Sequence, residues 1–250
     1  MTPIRLFAAG SLKTALTEVA QAFASSGGLS IEGRFGPSGL LKDDIVNGAG
    51  ADVFASANMD HPQALRDAGR SGPVVMFARN EMCALVRPGL QVTGDSLLDA
   101  ILDPSIKLGT STPKADPSGD YAFAVFARAE AVRPGARAVL EAKALKLTGA
   151  RDSPAPPPGH NVYGWHVSEG HADIFITYRT NVMAARDRNP VLQSSALPET
   201  LAVGADYGLT VLNDAPPAAH ALARFVMSAA GRAILAAHGF SPPPSRTGSQ

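Results

Sequence analysis

The sequence predicts an α/β protein with mostly parallel sheets flanked by helices. Three observations carry this. Short apolar runs alternate with amphipathic helical segments through residues 4–57, in the order β-α-β-α-β. Two strand–helix junctions share a serine turn, Phe7-Ala8-Ala9-Gly10-Ser11-Leu12 and Phe35-Gly36-Pro37-Ser38-Gly39-Leu40. A later apolar run, Ala172-Asp173-Ile174-Phe175-Ile176-Thr177-Tyr178, repeats the strand signal far down the chain.

Residues 4–9 form an apolar run ending in Gly10, the pattern of a buried parallel strand. Leu12, Leu16, Val19, Ala20 and Phe23 recur at helical spacing over residues 12–24, and Ser25-Ser26-Gly27-Gly28 stops that helix. Residues 29–35 read as a second strand, 40–47 as a second helix stopped by Gly48-Ala49-Gly50, and 52–55 as a third strand. Residues 76–86 read as a longer strand interrupted by Arg79-Asn80-Glu81, where the chain is expected to cross to a second lobe. A strand over 107–110 leads into a turn-rich loop, then a helix over 121–131 with Tyr121, Val125 and Ala129 on one face. Residues 154–159 are a proline-rich loop, 161–169 a helix and 172–178 a strand. The return crossing is expected between 187 and 202, and a single helix over 221–238 packs on the first lobe. The lobes are thus residues 1–78 with 202–250, and residues 79–201, with a disordered Pro/Ser/Gly tail from 241.

The 250 residues hold 22 Lys+Arg against 22 Asp+Glu, so no global field favours nucleic acid or an acidic membrane. An anion would have to be held by local dipoles. The single cysteine, Cys83, forms no internal disulfide and sits among Met82, Ala84 and Leu85 as a buried structural thiol. No apolar run approaches the roughly 20 residues of a membrane span. The segment from Met1 to Phe7 enters a strand-like run without a leader pattern. The expectation is a periplasmic protein whose signal peptide has been removed, with a cytoplasmic location as the alternative.

Catalytic signatures are weak. Gly36-Pro37-Ser38-Gly39 lacks the spacing of a nucleophile elbow, and there is no Walker loop and no G-x-G-x-x-G. A serine nucleophile at Ser11 or Ser38 would need a histidine base from His160, His166 or His171. His160, His166, Glu169, His171 and Asp173 lie close together, but His166 and His171 are five apart, where helical ligands want three or four. They read as a solvated helix end, so no direct metal ligand is assigned. Ser11 and Ser38 instead fall just beyond strands and at helix starts, where hydroxyls and backbone N–H groups at the positive end of a helix dipole bind anions. Simple N-capping is the plainer reading of both.

These stretches, with Ala51-Asp52-Val53-Phe54-Ala55-Ser56-Ala57 and the segment Arg224 to Phe240, resemble the molybdate-binding proteins of ABC transporters, a family of two-lobed periplasmic receptors. The likeness covers roughly residues 4–240. It implies the type II periplasmic-binding-protein fold, no catalysis and no cofactor, a molybdate or tungstate ligand, and a membrane permease as partner of a monomeric receptor. Carried over residue by residue, it implies hydroxyl donors from Ser11 and Ser38, the Ala57 N–H beside Gly10 on the first lobe, and the Tyr178 phenol on the second. A further backbone N–H is implied from His160, Asn161 or Val162.

Such a set suits a tetrahedral dianion, which needs many donors and no acceptors. It rejects a protonated anion whose hydrogen would face another donor. Two further residues bear on the ligand. Arg179 would add charge if turned inward. Asp116, in Asp116-Pro117-Ser118-Gly119-Asp120-Tyr121, is similar to an aspartate that joins the metal's own shell in an archaeal branch, but Thr177 stands where that branch has a glutamate. Asp116 and Asp120 therefore read as turn or cap residues. The alternatives are a cytoplasmic small-ligand sensor of the same fold, a receptor for a different anion or metal, and a serine-dependent hydrolase.

Overall fold

The computed structural model describes residues 2–243. β1 (Ile4–Ala9) buries Ile4, Leu6, Phe7, Ala8 and Ala9 and so has apolar cover on both faces. A 3-10 turn at Gly10–Leu12 leads into α1 (Lys13–Ser25), which turns Ala15, Leu16, Val19 and Phe23 to the core. Gly27, at φ 91°, closes that helix, a geometry glycine adopts without a Cβ penalty. β2 (Ile31–Gly36), α2 (Ser38–Val46), β3 (Val53–Ser56) and α3 (Asp60–Asp67) follow. β1 pairs in parallel with β2 on one side and β3 on the other.

β4 (Val75–Val86) is one continuous strand of 12 residues. The expected interruption at Arg79-Asn80-Glu81 does not occur, because the polar groups find partners along the strand. Arg79 pairs with Asp206 at 2.7 Å and its backbone exchanges hydrogen bonds with Ser241, while Asn80 bonds Tyr207. Next come α4 (Leu97–Leu102), β5 (Leu108–Ser111), α5 (Pro117–Val132), α6 (Ala136–Lys143) and β6 (Leu145–Thr148). α7 (Val162–Ser168), β7 (Ile174–Tyr178), α8 (Arg179–Arg188), β8 (Gln193–Ala196) and β9 (Gly204–Val211) complete the middle of the chain. β5 lies parallel to both β6 and β7, whereas β4 runs antiparallel to β7 and β8.

The chain divides into two compact units, Met1–Asn80 with Asp206–Gln250, and Glu81–Ala205. β4 and β9 both run through the division. In the first unit Phe7, Leu41, Ile45, Phe54 and Leu65 form a core cluster. In the second, Cys83, Leu85, Val167, Phe175, Val182 and Leu192 do so.

The closing segment differs from the single helix expected. α9 (Pro217–Met227) and α10 (Ala229–Ala237) are separated at Ser228, whose ψ of 169° breaks the helical path and whose Oγ accepts the Gly231 N–H. Gly231 permits the tight turn, since a Cβ there would sit 2.3 Å from the Phe225 carbonyl oxygen. Phe225 meets Phe23 of α1 edge-on at 5.5 Å. Ser241, expected to open a disordered tail, instead bridges to Arg79; residues 244–250 of the expected tail lie outside the described residues.

Candidate functional site

The parallel register places the first set of groups. Ala9 of β1 lies opposite Gly36 of β2, and Ala8 lies opposite Ala55 of β3. Ser11, Ser38 and Ala57 therefore follow the carboxyl ends of three adjacent strands, where ligands of open parallel sheets sit. Neither serine is a cap. The capping positions are Ala9, Leu12 and Pro37, and none makes a side-chain cap bond.

Ser11, partly buried in the 3-10 turn beside exposed Gly10, has its Oγ 2.9 Å from Tyr207 Oη. Asn80 Nδ2 donates to the same phenolic oxygen at 3.2 Å. Ser38 opens α2 and is 1% exposed; its Oγ accepts the Ala57 N–H at 3.1 Å. Beyond Ala57, Asn58 Oδ1 accepts from Ser56 Oγ at 2.9 Å and from the His61 N–H at 3.1 Å, fixing the turn into α3.

The second unit repeats the pattern. β5 and β7 end side by side, followed by the N-termini of α5 and α8. Tyr178 is the last residue of β7, is 1% exposed, and meets Tyr121 edge-on at 6.1 Å. Asn161 caps α7, its Oδ1 accepting the Tyr163 and Gly164 N–H groups at 3.0 Å. The His160 N–H closes the proline-rich loop on Pro157 at 3.1 Å, and its ring is exposed. Val162 therefore presents the N–H at the first helical position, where no intrahelical acceptor exists. Arg179 is exposed and lies 3.9 Å from Glu81.

Asp116 is the N-cap of α5, its Oδ1 accepting the Ser118 N–H at 3.1 Å, with Pro117 in the first turn. This cap starts the helix well before the Tyr121 that sequence spacing suggested. Burial pushes the Asp116 carboxyl up to about 6, against the pull of the Ser118 N–H. Asp120 accepts the Lys114 N–H at 2.8 Å, holding the loop before the helix, where Lys114 has a positive φ of 70°.

Sequence spacing missed several polar residues here. Ser118 Oγ meets Thr177 Oγ1 at 3.2 Å, and Asn181 Nδ2 donates to Thr177 Oγ1 at 2.9 Å, all three buried. Burial, then the Asp116 charge, holds the neighbouring Tyr163 phenol above the usual tyrosine range. Thr177 lies in β7 and Asn181 in the first turn of α8, so no single periodicity pairs them in the sequence. Tyr207 and Asn80 carry no local signal, since their partners are distant in sequence.

His160, Glu169 and His171 are exposed, as expected of a solvated helix end, but His166 is not. His166 is buried and its Nδ1 lies 3.2 Å from His171 Nδ1, with Trp165 against both rings. Burial first, and the His171 charge second, hold the His166 imidazole below its ordinary value. Asp173 is taken up by Arg87 and the Lys107 N–H. Among the described residues, no group of three or more His, Cys, Asp or Glu side chains is placed to hold a metal.

The fold is that of the type II periplasmic binding proteins. It aligns with the periplasmic molybdate-binding protein of Azotobacter vinelandii at a TM-score of 0.76 and 18% identity, over 96% of this chain and 99% of that one. It aligns with the sulfate-binding protein SubI of Mycobacterium tuberculosis at 0.79 and 19%, over 98% and 88%. The chain belongs to the bacterial extracellular solute-binding protein family, whose pattern it matches over residues 4–241. Among curated relatives it is 36% identical to the uncharacterized protein PM1146 of Pasteurella multocida over 207 residues, 82% of this chain and 86% of that one. It is 26% identical to the molybdate-binding protein ModA of Mycobacterium bovis over 259 aligned positions, 96% of this chain and 85% of that protein.

Proposed function

We propose that this chain is the solute-binding receptor of an ABC importer and that its solute is a tetrahedral oxyanion, molybdate or tungstate. The observation that carries the reading is the placement of Ser11 and Ser38, neutral hydroxyls at the carboxyl ends of neighbouring parallel strands and free of any capping role. Neutral O–H and N–H donors at helix starts compensate a dianion without a counter-charge. In this reading Ser11 and Ser38 donate from the first unit, with Ala57 at the same strand ends. Tyr178 and the Val162 N–H donate from the second. In this reading the exposed Arg179 is not a donor.

No covalent step is assigned. The receptor works in the periplasm as a monomer and hands its anion to a membrane permease. The likeness to molybdate-binding proteins supports molybdate, and cavity size would separate it from the smaller sulfate.

The test is a thermal-shift screen of the purified chain against molybdate, tungstate, sulfate, phosphate, chromate and divalent metals. A ligand that binds only the folded state raises Tm. A large rise with molybdate and tungstate alone is expected. A rise with sulfate or phosphate alone would replace the ligand, and no rise with any anion would overturn the reading.

A further inference from the structure

We propose that His166 and His171 form a two-imidazole site for a borderline divalent cation, Cu²⁺ above all, at the amino end of β7. It is a different place from the strand ends of the anion donors, since Tyr178 closes the carboxyl end of the same strand.

A spacing of five does not put two side chains on one helix face, but here the helix has ended between them. α7 stops at Ser168 and closes in a Schellman motif. The Gly170 N–H donates to the Val167 carbonyl at 3.3 Å, and the His171 N–H reaches back to the His166 carbonyl at 2.9 Å. Gly170 takes the left-handed conformation this requires, at φ 70°. The motif sets the side chain one turn inside the helix end against the one just past it, commonly as an apolar pair. In this chain both places hold imidazoles, so the backbone itself brings two metal-ligating groups together.

The two Nδ1 atoms stand 3.2 Å apart and the ring planes cross at 65°. Imidazole nitrogens bind such ions at about 2.0–2.1 Å, so one ion held by both atoms at this separation subtends about 100°, between a square-planar and a tetrahedral angle. His166 is the fixed ligand, buried between Trp165 and Phe175. His171 is exposed and turns to meet the ion. The neutral pair shares one Nδ1 proton; His171 can carry it on Nε2 at the solvent instead, which leaves both Nδ1 lone pairs for the metal. The pair lines a cavity of about 460 Å³ with Asp152 and Ser153 on its wall, while Lys146 on that wall lies over the Phe123 ring at 5.8 Å. Among the described residues no third His, Cys, Asp or Glu completes a cage. Waters therefore fill the remaining positions and the ion exchanges freely, unlike one in a closed structural site. Imidazole ligation ranks Cu²⁺ above Ni²⁺ and Zn²⁺ and passes over Mg²⁺, which seeks oxygen.

The sequence holds one tryptophan, Trp165, and its ring lies 4.7 Å from that of His166 and 5.1 Å from that of His171. Bound Cu²⁺ therefore quenches the only indole in the chain. The untagged, metal-stripped protein is titrated at neutral pH with the chlorides of copper(II), nickel, zinc and magnesium while tryptophan emission is read. Saturable one-to-one quenching by Cu²⁺ with a micromolar Kd is expected, with nitrogen hyperfine splitting from two imidazoles in the copper EPR spectrum and no response to Mg²⁺. His171→Ala should weaken the quenching Kd by about tenfold or more. His171→Phe should do the same while keeping a ring against His166, which separates loss of a ligand atom from loss of the turn. His220→Ala, on α9 in the other unit, should leave the Kd unchanged. Quenching that never saturates, or that is as tight in both folded His171 variants as in wild type, overturns the site and leaves adventitious surface binding only. Either result stands apart from the anion screen, so the receptor reading and this site can fail separately.

Discussion

The Ala57 N–H donates to Ser38 Oγ across 3.1 Å, joining the end of β3 to the first residue of α2. The bond spans 19 residues of sequence and is buried at both ends. It fixes the side chain of a residue that sits at a helix start without capping it. A serine held in this way keeps one rotamer, so little side-chain entropy is lost when an anion arrives.

Ser11→Ala and Ser38→Ala should each weaken molybdate binding by about 1–3 kcal/mol, because each leaves part of a desolvated charge without its donor. Isothermal titration calorimetry measures this directly. Unchanged affinity in both variants would dismiss these strand ends as the binding site and leave the fold untouched.

Asp52 should anchor the first unit against acid. Its carboxylate is 3% exposed and accepts from the Arg5 backbone N–H at 2.7 Å and from Nη2 at 2.7 Å. Burial alone would raise its pKa, but the Arg5 bonds outweigh it and hold it below 3.8. A depressed carboxyl contributes stability that is present above 3.8 and lost as pH falls through the folded value. Asp52→Asn should cost about 1–3 kcal/mol at neutral pH, less than a fully buried pair because Arg5 is half exposed. Urea denaturation from neutral pH into acid should show wild type losing this advantage and the variant having none to lose.

Asp116 should behave in the opposite sense. Its pKa is raised from 3.8 to about 6, so the folded state holds the proton more tightly than the unfolded one. That contribution is complete below 3.8 and is lost as pH rises through about 6. Asp116→Asn keeps an oxygen for the Ser118 N–H while removing the buried charge. The variant should match wild type in acid and exceed it by about 1–3 kcal/mol above pH 6. Equal stability of the two at neutral pH would show that the carboxylate is well solvated.

Gly119→Ala should disrupt the start of α5. A Cβ at Gly119 would lie 2.6 Å from the Ser111 carbonyl oxygen and 2.6 Å from the Pro113 nitrogen, both backbone atoms that cannot swing aside. A loss of about 2 kcal/mol or more is expected on chemical denaturation, an overpacking cost of the usual size. A variant as stable as wild type would mean that the loop over 112–116 relocates freely.

The serine turns and the strands that feed them were legible because each is local: an apolar run, a small-residue turn and a helix within about a dozen residues. α3, α4, α6, α8, β6, β8 and β9 were not read. Several of them are short or rich in charge, and β8 with Gln193, Ser194 and Ser195 has no apolar alternation to show. The expected break in β4 failed for a related reason. Arg79, Asn80 and Glu81 look like loop residues, but Asp206, Tyr207 and Ser241 supply partners from far along the chain. His166 was misplaced at the surface because its burial depends on Trp165, His171 and Phe175 closing around it. In each case long-range packing overrode what local composition suggested.

Cys83 lies at 7% exposure between β7 and β8, and burial pushes its thiol up to about 12. At neutral pH almost none of it is thiolate, so alkylating reagents will find no nucleophile while the strands stay paired. The folded chain is chemically silent toward such reagents. A cysteine introduced anywhere on its surface would be the sole attachment point for a dye or spin label. Slow modification of Cys83 itself would then time the opening of the sheet around it.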